Sequence, residues 1–205
     1  AGNGKTSKLI PVIKEYFDEL KDRVEYKIVV TQYVGHAETL ASQGAKDGFD
    51  YIISAGGDGT AYEIINGIGE NEDVCLGLIP SGTGNDFVRM LGLSNRDIKD
   101  LLDTIAQGNY VKTDIGFIND RMFINYCSTG FDTLVVEESR KIKKYISGPP
   151  AYAMGILKAL KKHTGTDVKM TIDGVVYNRK ADFIAVNNGK YYGGGMMINP
   201  KAVID

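Results

Sequence analysis

Two short segments of this chain combine glycine, hydroxyl and carboxylate residues at a spacing that can do chemistry. They are Gly56-Gly57-Asp58-Gly59-Thr60 and Pro80-Ser81-Gly82-Thr83-Gly84-Asn85-Asp86-Phe87. Each follows a short apolar run, Tyr51 to Ser54 and Val74 to Ile79, and each leads into a helix-like pattern. Glycines at a strand-to-helix turn let the backbone approach a ligand, and the helix start offers unpaired N–H groups to an anion. A carboxylate among such N–H groups repels a phosphate unless a cation bridges them, which Mg²⁺ does through one or two carboxylates plus phosphate oxygens. Asp58 and Asp86 are therefore the candidate catalytic pair of a phosphate site that works with a divalent ion.

Each candidate also has a structural reading. Asp58 can cap the helix that follows it, although its flanking glycines favour the chemical role. Thr60 and Glu63 match a capping box, and the Thr60 hydroxyl can also reach a phosphate. Thr83 can donate to a phosphate, while Asn85 and Asp86 can serve as caps. Arg89, one turn beyond Asp86, either pairs with it or balances phosphate charge. Gly4-Lys5-Thr6 resembles the end of a P-loop, but the motif's opening glycine falls before residue 1. Tyr191-Tyr192-Gly193-Gly194-Gly195-Met196 is either a bulged strand or part of a wall lining a cleft between domains. His36 and His163 read as ordinary helix residues. The lysine runs at 141–144 and 158–162 read as solvated helix faces, with a membrane-surface role as the alternative.

The elements that hold these turns follow from periodicity. Apolar residues Leu9, Val12, Ile13, Tyr16, Phe17 and Leu20 predict a helix within 5–23. Further helices are expected at 36–46, 60–68, 86–91 and 96–106, with strands at 27–31, 51–54 and 74–79. Strands alternating with helices imply βαβ units and a parallel sheet. Near residue 112 hairpins replace that alternation, turning at Asn119-Asp120 and Asp173-Gly174. A strand at 182–187 and helices at 132–145 and 151–162, separated by Gly148-Pro149-Pro150, complete the pattern. The expected division is residues 1–112, an α/β domain, and 113–205, a β-rich second domain.

The 205 residues carry a formal charge of −2, which gives no general attraction to nucleic acid. Cys75 and Cys127 sit in strand-like apolar runs and are expected to be reduced core residues of a cytosolic protein. No apolar run reaches the length of a membrane span. Both ends read as cut: no methionine or strand opens the chain, and it stops just after a strand-like stretch.

The two glycine turns, with Glu63-Ile64-Ile65-Asn66-Gly67 and Val88-Arg89, resemble the soluble lipid kinases: bacterial diacylglycerol kinases and their sphingosine and ceramide kinase relatives. The first turn alone is shared with NAD kinases and phosphofructokinases; the second narrows the likeness. Asp114-Ile115-Gly116, Phe123-Ile124-Asn125 with Gly130-Phe131-Asp132, and Gly193-Gly194-Gly195-Met196 with Pro200 match the same family's second domain. The resemblance implies an α/β fold: a doubly wound, mostly parallel sheet of the NAD kinase and phosphofructokinase type, then an antiparallel sandwich-like domain. It implies ATP and Mg²⁺, with γ-phosphoryl transfer to a lipid hydroxyl, diacylglycerol foremost. It also implies work in the cytoplasm at the inner membrane face, and it leaves a homodimer open. ATP contacts would come from Gly2, Thr31, Gly57, Asp58, Gly59, Thr60, Ala61, Tyr62, Glu63 and Thr83. The family's general base would lie beyond residue 205. The other readings are an NAD kinase and a silent nucleotide-binding module.

Overall fold

In the computed structural model, which describes residues 6–142, 144–146 and 149–204, the chain forms two compact units. Gly2, Gly4, Lys5 and Gly148 lie outside the described residues. The first unit comprises Ala1–Tyr126 with Asn187–Asp205, and the second Cys127–Val186.

The first unit opens with a 3₁₀ turn, Thr6–Lys8, and helix α1, Ile10–Glu19, which carries Pro11 in its first turn, where the missing N–H costs nothing. Helix α2, His36–Lys46, starts behind Gly35 at φ +89°, and strand β1 is Tyr51–Gly56. Helix α3, Asp58–Ile68, is closed by Gly69 at φ +70°. Strand β2, Cys75–Pro80, then pairs with β1 in parallel, in the register Tyr51 to Cys75 through Gly56 to Pro80. Helices α4, Asp86–Met90, and α5, Ile98–Ala106, follow; the Asp97 side chain caps α5 by accepting from the Lys99 N–H at 2.9 Å. Strands β3, Gly116–Ile118, and β4, Arg121–Phe123, form an antiparallel hairpin around Asn119 at φ +49°.

Three apolar clusters hold this unit. Phe17, Ile79 and Leu102 lock α1 and α5 to one face of the parallel pair. Ala37, Ala41 and Ile64 join α2 to α3, where Gly67 is needed: a Cβ there would stand 2.2 Å from the Glu38 carbonyl oxygen. Ala61, Ile65, Phe87, Met122 and Ile124 bring α3, α4 and β4 together. Asn66 fastens that hairpin by imitating a strand, accepting from the Met122 N–H and donating to the Met122 carbonyl, both at 3.0 Å. Arg121 reaches back to Glu38 through two bonds of 2.7 Å, and this pairing holds the Glu38 carboxyl below its ordinary value against the effect of burial.

The second unit contains strand β5, Tyr126–Gly130, helices α6, Phe131–Ile142, and α7, Pro149–Lys162, and strands β6, Thr166–Ile172, β7, Val175–Ala181, and β8, Phe183–Asn187. Strand β5 pairs with β8, and β6 with β7 around Asp173-Gly174, both at positive φ. Back in the first unit, the short strands β9, Tyr191–Tyr192, and β10, Met196–Met197, form a hairpin whose tip is Gly193-Gly194-Gly195. Cys75 and Cys127 are free and half-buried.

Two expectations are corrected. Residues 27–31 form no strand among the described residues, and Val30 is 63% exposed. β-Branched residues favour a strand only where a neighbouring edge receives them, and here a cavity of about 600 Å³ stands between this segment and β1. Helix α3 begins at Asp58, two residues earlier than its periodicity predicts, and the expected capping box does not form. Gly57 is the N-cap residue, and Glu63 instead accepts from the Ala37 N–H at 3.1 Å, capping α2. A nearby helix start with unpaired N–H groups outcompetes the local one.

Candidate active site

Parallel pairing of β1 with β2 puts the two glycine turns side by side at the carboxyl ends of the strands, the edge where open α/β sheets bind ligands. The turns touch through their backbones. A Cβ on Gly82 would lie 2.5 Å from the Gly57 Cα, and one on Gly57 would lie 3.1 Å from the Gly82 Cα. Only glycine permits that approach from both sides. Asn85, in the left-handed region at φ +51°, closes the second turn on itself: its Oδ1 accepts from the Gly82 N–H at 3.1 Å and its Nδ2 donates to the Gly82 carbonyl at 3.0 Å.

This contact decides where the carboxylates go. Asp58 leaves its own helix uncapped; its Oδ1 accepts from the Phe87 N–H at 3.2 Å, at the start of α4. Asp86 is buried, and its Oδ2 accepts from the Gly194 N–H at 2.9 Å. Between them lies Gly84, where a Cβ would meet Asp58 Oδ2 at 3.0 Å, Asp86 Oδ2 at 3.6 Å and the Gly194 Cα at 3.7 Å. The two acidic side chains thus flank one glycine from different crossover connections. Asp86 Oδ1 is buried without a hydrogen-bond partner, an acceptor that a bound cation or water would satisfy.

Of the two readings of Arg89, the pairing with Asp86 does not occur among the described residues. Arg89 lies over the Tyr191 ring at 5.8 Å and against Gly195, while the Gly194 N–H takes the place beside Asp86. Arg89 Nε is buried there without a hydrogen-bond partner. The hairpin tip at 193–195 is thereby part of the site's wall. Its signal in the sequence is three consecutive glycines, here at φ +62°, +92° and +111°.

The predicted nucleotide contacts divide. Thr31, Gly57 and Thr60 line the 600 Å³ cavity together with Thr6, Gly56, Ser81 and Gly82, above an apolar lining that includes Ile53, Ile79 and Phe17. The Thr6 and Ser81 hydroxyls are 2.7 Å apart in that lining. Gly59 is exposed and looks onto open space, and Thr83 is exposed on the second turn. Ala61, Tyr62 and Glu63 are engaged elsewhere: Ala61 in the apolar cluster, Tyr62 under the Arg121 guanidinium at 5.3 Å, and Glu63 at the start of α2. His36 accepts from the Gln32 N–H and stacks on Tyr33, while His163 stands 2.8 Å from Asp182; neither joins the site.

Glycine turns and carboxylates thus converge at one sheet edge of a mixed α/β fold, and comparison with known proteins gives the family. Residues 1–118 match the diacylglycerol kinase catalytic domain, and residues 125–205 match the YegS C-terminal NAD kinase beta sandwich-like domain. The chain is 36% identical over 182 residues to a diacylglycerol kinase of Staphylococcus saprophyticus, covering 88% of this chain and 59% of that protein. It is 39% identical over 158 residues to one from Staphylococcus aureus, covering 77% and 50%. A crystal structure of a diacylglycerol kinase from Bacillus anthracis superposes with a TM-score of 0.63 at 30% identity, covering 85% of this chain and 57% of that one. The chain therefore belongs to the diacylglycerol kinase catalytic-domain family, with the kinase domain followed by the sandwich-like one. It spans 50% to 59% of the length of these curated relatives.

Proposed function

We propose that this chain provides the nucleotide-binding part of an ATP- and Mg²⁺-dependent lipid kinase that converts diacylglycerol to phosphatidic acid. The observation that carries the reading is the backbone contact of Gly57 with Gly82, which sets Asp58 and Asp86 on either side of Gly84. A lipid hydroxyl attacks the γ-phosphorus, the bond to the β,γ-bridging oxygen breaks, ADP departs with that oxygen, and the hydroxyl proton passes to a basic group or water beside the acceptor. Such transfer is governed by positioning and charge neutralisation, so the chain's task is to hold the triphosphate still. The turn at 57–59, which opens α3, presents backbone donors to phosphate oxygens, with Thr31, Thr60 and Thr83 as hydroxyl donors.

Among the described residues no cluster of three or more acidic, His or Cys side chains could hold a metal, whereas two carboxylates completed by phosphate oxygens suit Mg²⁺. Asp58 and Asp86, the latter with its unpartnered Oδ1, would hold that ion, which neutralises charge on the phosphates when bound. Arg89 forms no ion pair among the described residues and adds a positive charge to the same wall. An acceptor of diacylglycerol type places the reaction at the inner membrane face, with the protein peripheral to it.

The test is transfer of label from ATP by the intact protein. Diacylglycerol should be labelled, and Asp58→Ala should abolish labelling while circular dichroism shows the chain still folded, the lost bond to the Phe87 N–H lowering the melting temperature by only a few degrees. Near-normal turnover by that variant would remove Asp58 from the reaction. Label appearing on NAD would instead establish the dinucleotide kinase.

A further inference from the structure

We propose that Met196 and Met197 form an oxidation site, at which hydrogen peroxide makes methionine sulfoxide and so frees the 193–195 tip from Asp86. Its consequence for catalysis rests on the lipid-kinase reading above. The two residues are consecutive in β10 and are 50% and 55% exposed. Of the chain's six methionines, Met122 is buried, Met90 and Met170 are half-buried, and Met154 is 40% exposed on α7. The most accessible methionines therefore lie beside the wall of the candidate site. Oxidation there balances with peroxide alone. A sulfur lone pair attacks one peroxide oxygen, the O–O bond breaks, and the other oxygen leaves as hydroxide. That hydroxide takes the proton of the transferred oxygen and departs as water, the sulfur being oxidised and the peroxide reduced.

The hairpin that carries the pair has little of its own to hold it. Each strand has two residues, and the tip is three glycines at positive φ, the residue type that loses most freedom on ordering. Its place beside Asp86 therefore depends on what β9 touches. Asn125 Nδ2 donates to the Tyr191 carbonyl at 3.0 Å, the Tyr192 ring meets Tyr126 edge-on at 5.0 Å, and the Tyr191 ring underlies Arg89 at 5.8 Å. The register sets Met196 opposite Tyr192 and Met197 opposite Tyr191, so each methionine shares a sheet face with one of those rings. A thioether suits an aromatic neighbour, whereas a sulfoxide is polar and seeks a hydrogen-bond donor. Arg89 Nε is such a donor, buried and without a partner. A sulfoxide oxygen on Met197 draws the guanidinium from the Tyr191 ring, and the tip loses its support beside Asp86.

The test treats the intact protein with hydrogen peroxide and then with dithiothreitol, which reverses thiol oxidation at the half-buried Cys75 and Cys127 but leaves sulfoxides. Peptide mass spectrometry should find sulfoxide at Met196 and Met197 before the buried Met122. Transfer of label from ATP to dioctanoylglycerol in nonionic detergent should fall by about tenfold or more, and methionine sulfoxide reductases should restore it. Amide exchange at 193–195 should quicken in the oxidised protein. The double variant Met196→Leu with Met197→Leu conserves volume and should transfer as the parent does, before and after peroxide, although Met154 remains open to oxidation. Undiminished transfer with both sulfoxides in place overturns the proposal. So does an equal loss in the leucine variant, or full recovery with dithiothreitol alone. The kinase reading fails separately, by absence of transfer to any lipid before peroxide is added. Amide exchange then still decides the oxidation site, which unchanged exchange at 193–195 would rule out.

Discussion

Gly59→Ala separates what the first glycine turn does for the fold from what it does for a ligand. Gly59 is the second residue of α3, its φ is not positive, and a Cβ built on it meets nothing within 4 Å. The protein itself therefore has no steric need for glycine here. Alanine lowers the backbone entropy lost on folding and raises helix propensity, so stability should rise by up to about 1 kcal/mol. For a chain of this size that is an increase of about 1–4 °C in melting temperature. The open space in front of Gly59 is where the triphosphate is proposed to approach the helix start. A methyl group there holds the phosphates away from the N–H donors, and ATP affinity should fall by about tenfold or more, equivalent to about 1.4 kcal/mol. Differential scanning fluorimetry reads the first quantity and isothermal titration calorimetry with ATP and MgCl₂ the second. A variant that gains stability and binds ATP as tightly as the parent would refute the placement of the phosphates on this turn.

Gly82→Ala should act in the opposite way, through the protein. Its Cβ would sit 2.5 Å from the Gly57 Cα and 2.8 Å from Asn85 Oδ1, against an ordinary carbon–carbon contact of about 3.5–4.0 Å, so the two turns must part. Overpacking of that size costs about 1–3 kcal/mol, and a melting temperature within a degree of the parent would show that the turns do not touch as described. Glu138 is buried, and its bonds from Lys162 and Lys141 hold its carboxyl down at about 2. A carboxylate depressed in the folded state stabilises above its unfolded value near 4.5 and loses that contribution as pH falls toward 2. Glu138→Gln should therefore melt lower than the parent at neutral pH and converge with it by about pH 2. A constant difference across thermal melts from pH 2 to 7 would show that the ion pairs contribute nothing.

Local chemistry alone located much of this protein. Asn119-Asp120 and Asp173-Gly174 turn their hairpins through positive φ, Gly35 and Gly69 bracket helices, and α2 occupies the residues its pattern predicts. Those features depend on neighbours within a few positions, which a linear reading contains. The two glycine turns were legible for the same reason, since strand, glycine and helix start are consecutive. Which partner each polar side chain would choose was not legible. Asp58 caps the helix of the other turn, Glu63 caps the helix before its own, and the place beside Asp86, one of two that the sequence offered Arg89, goes to the Gly194 N–H more than a hundred residues away. Residues 27–31 have the composition of a strand but no adjoining edge to pair with among those described. Hydrogen-bond choice and strand pairing are competitions among groups brought close by the fold, and burial raises the stakes of each unsatisfied donor or acceptor. Sequence set the menu of turns and helices; the packing of β1 on β2 determined that two acidic side chains share one glycine.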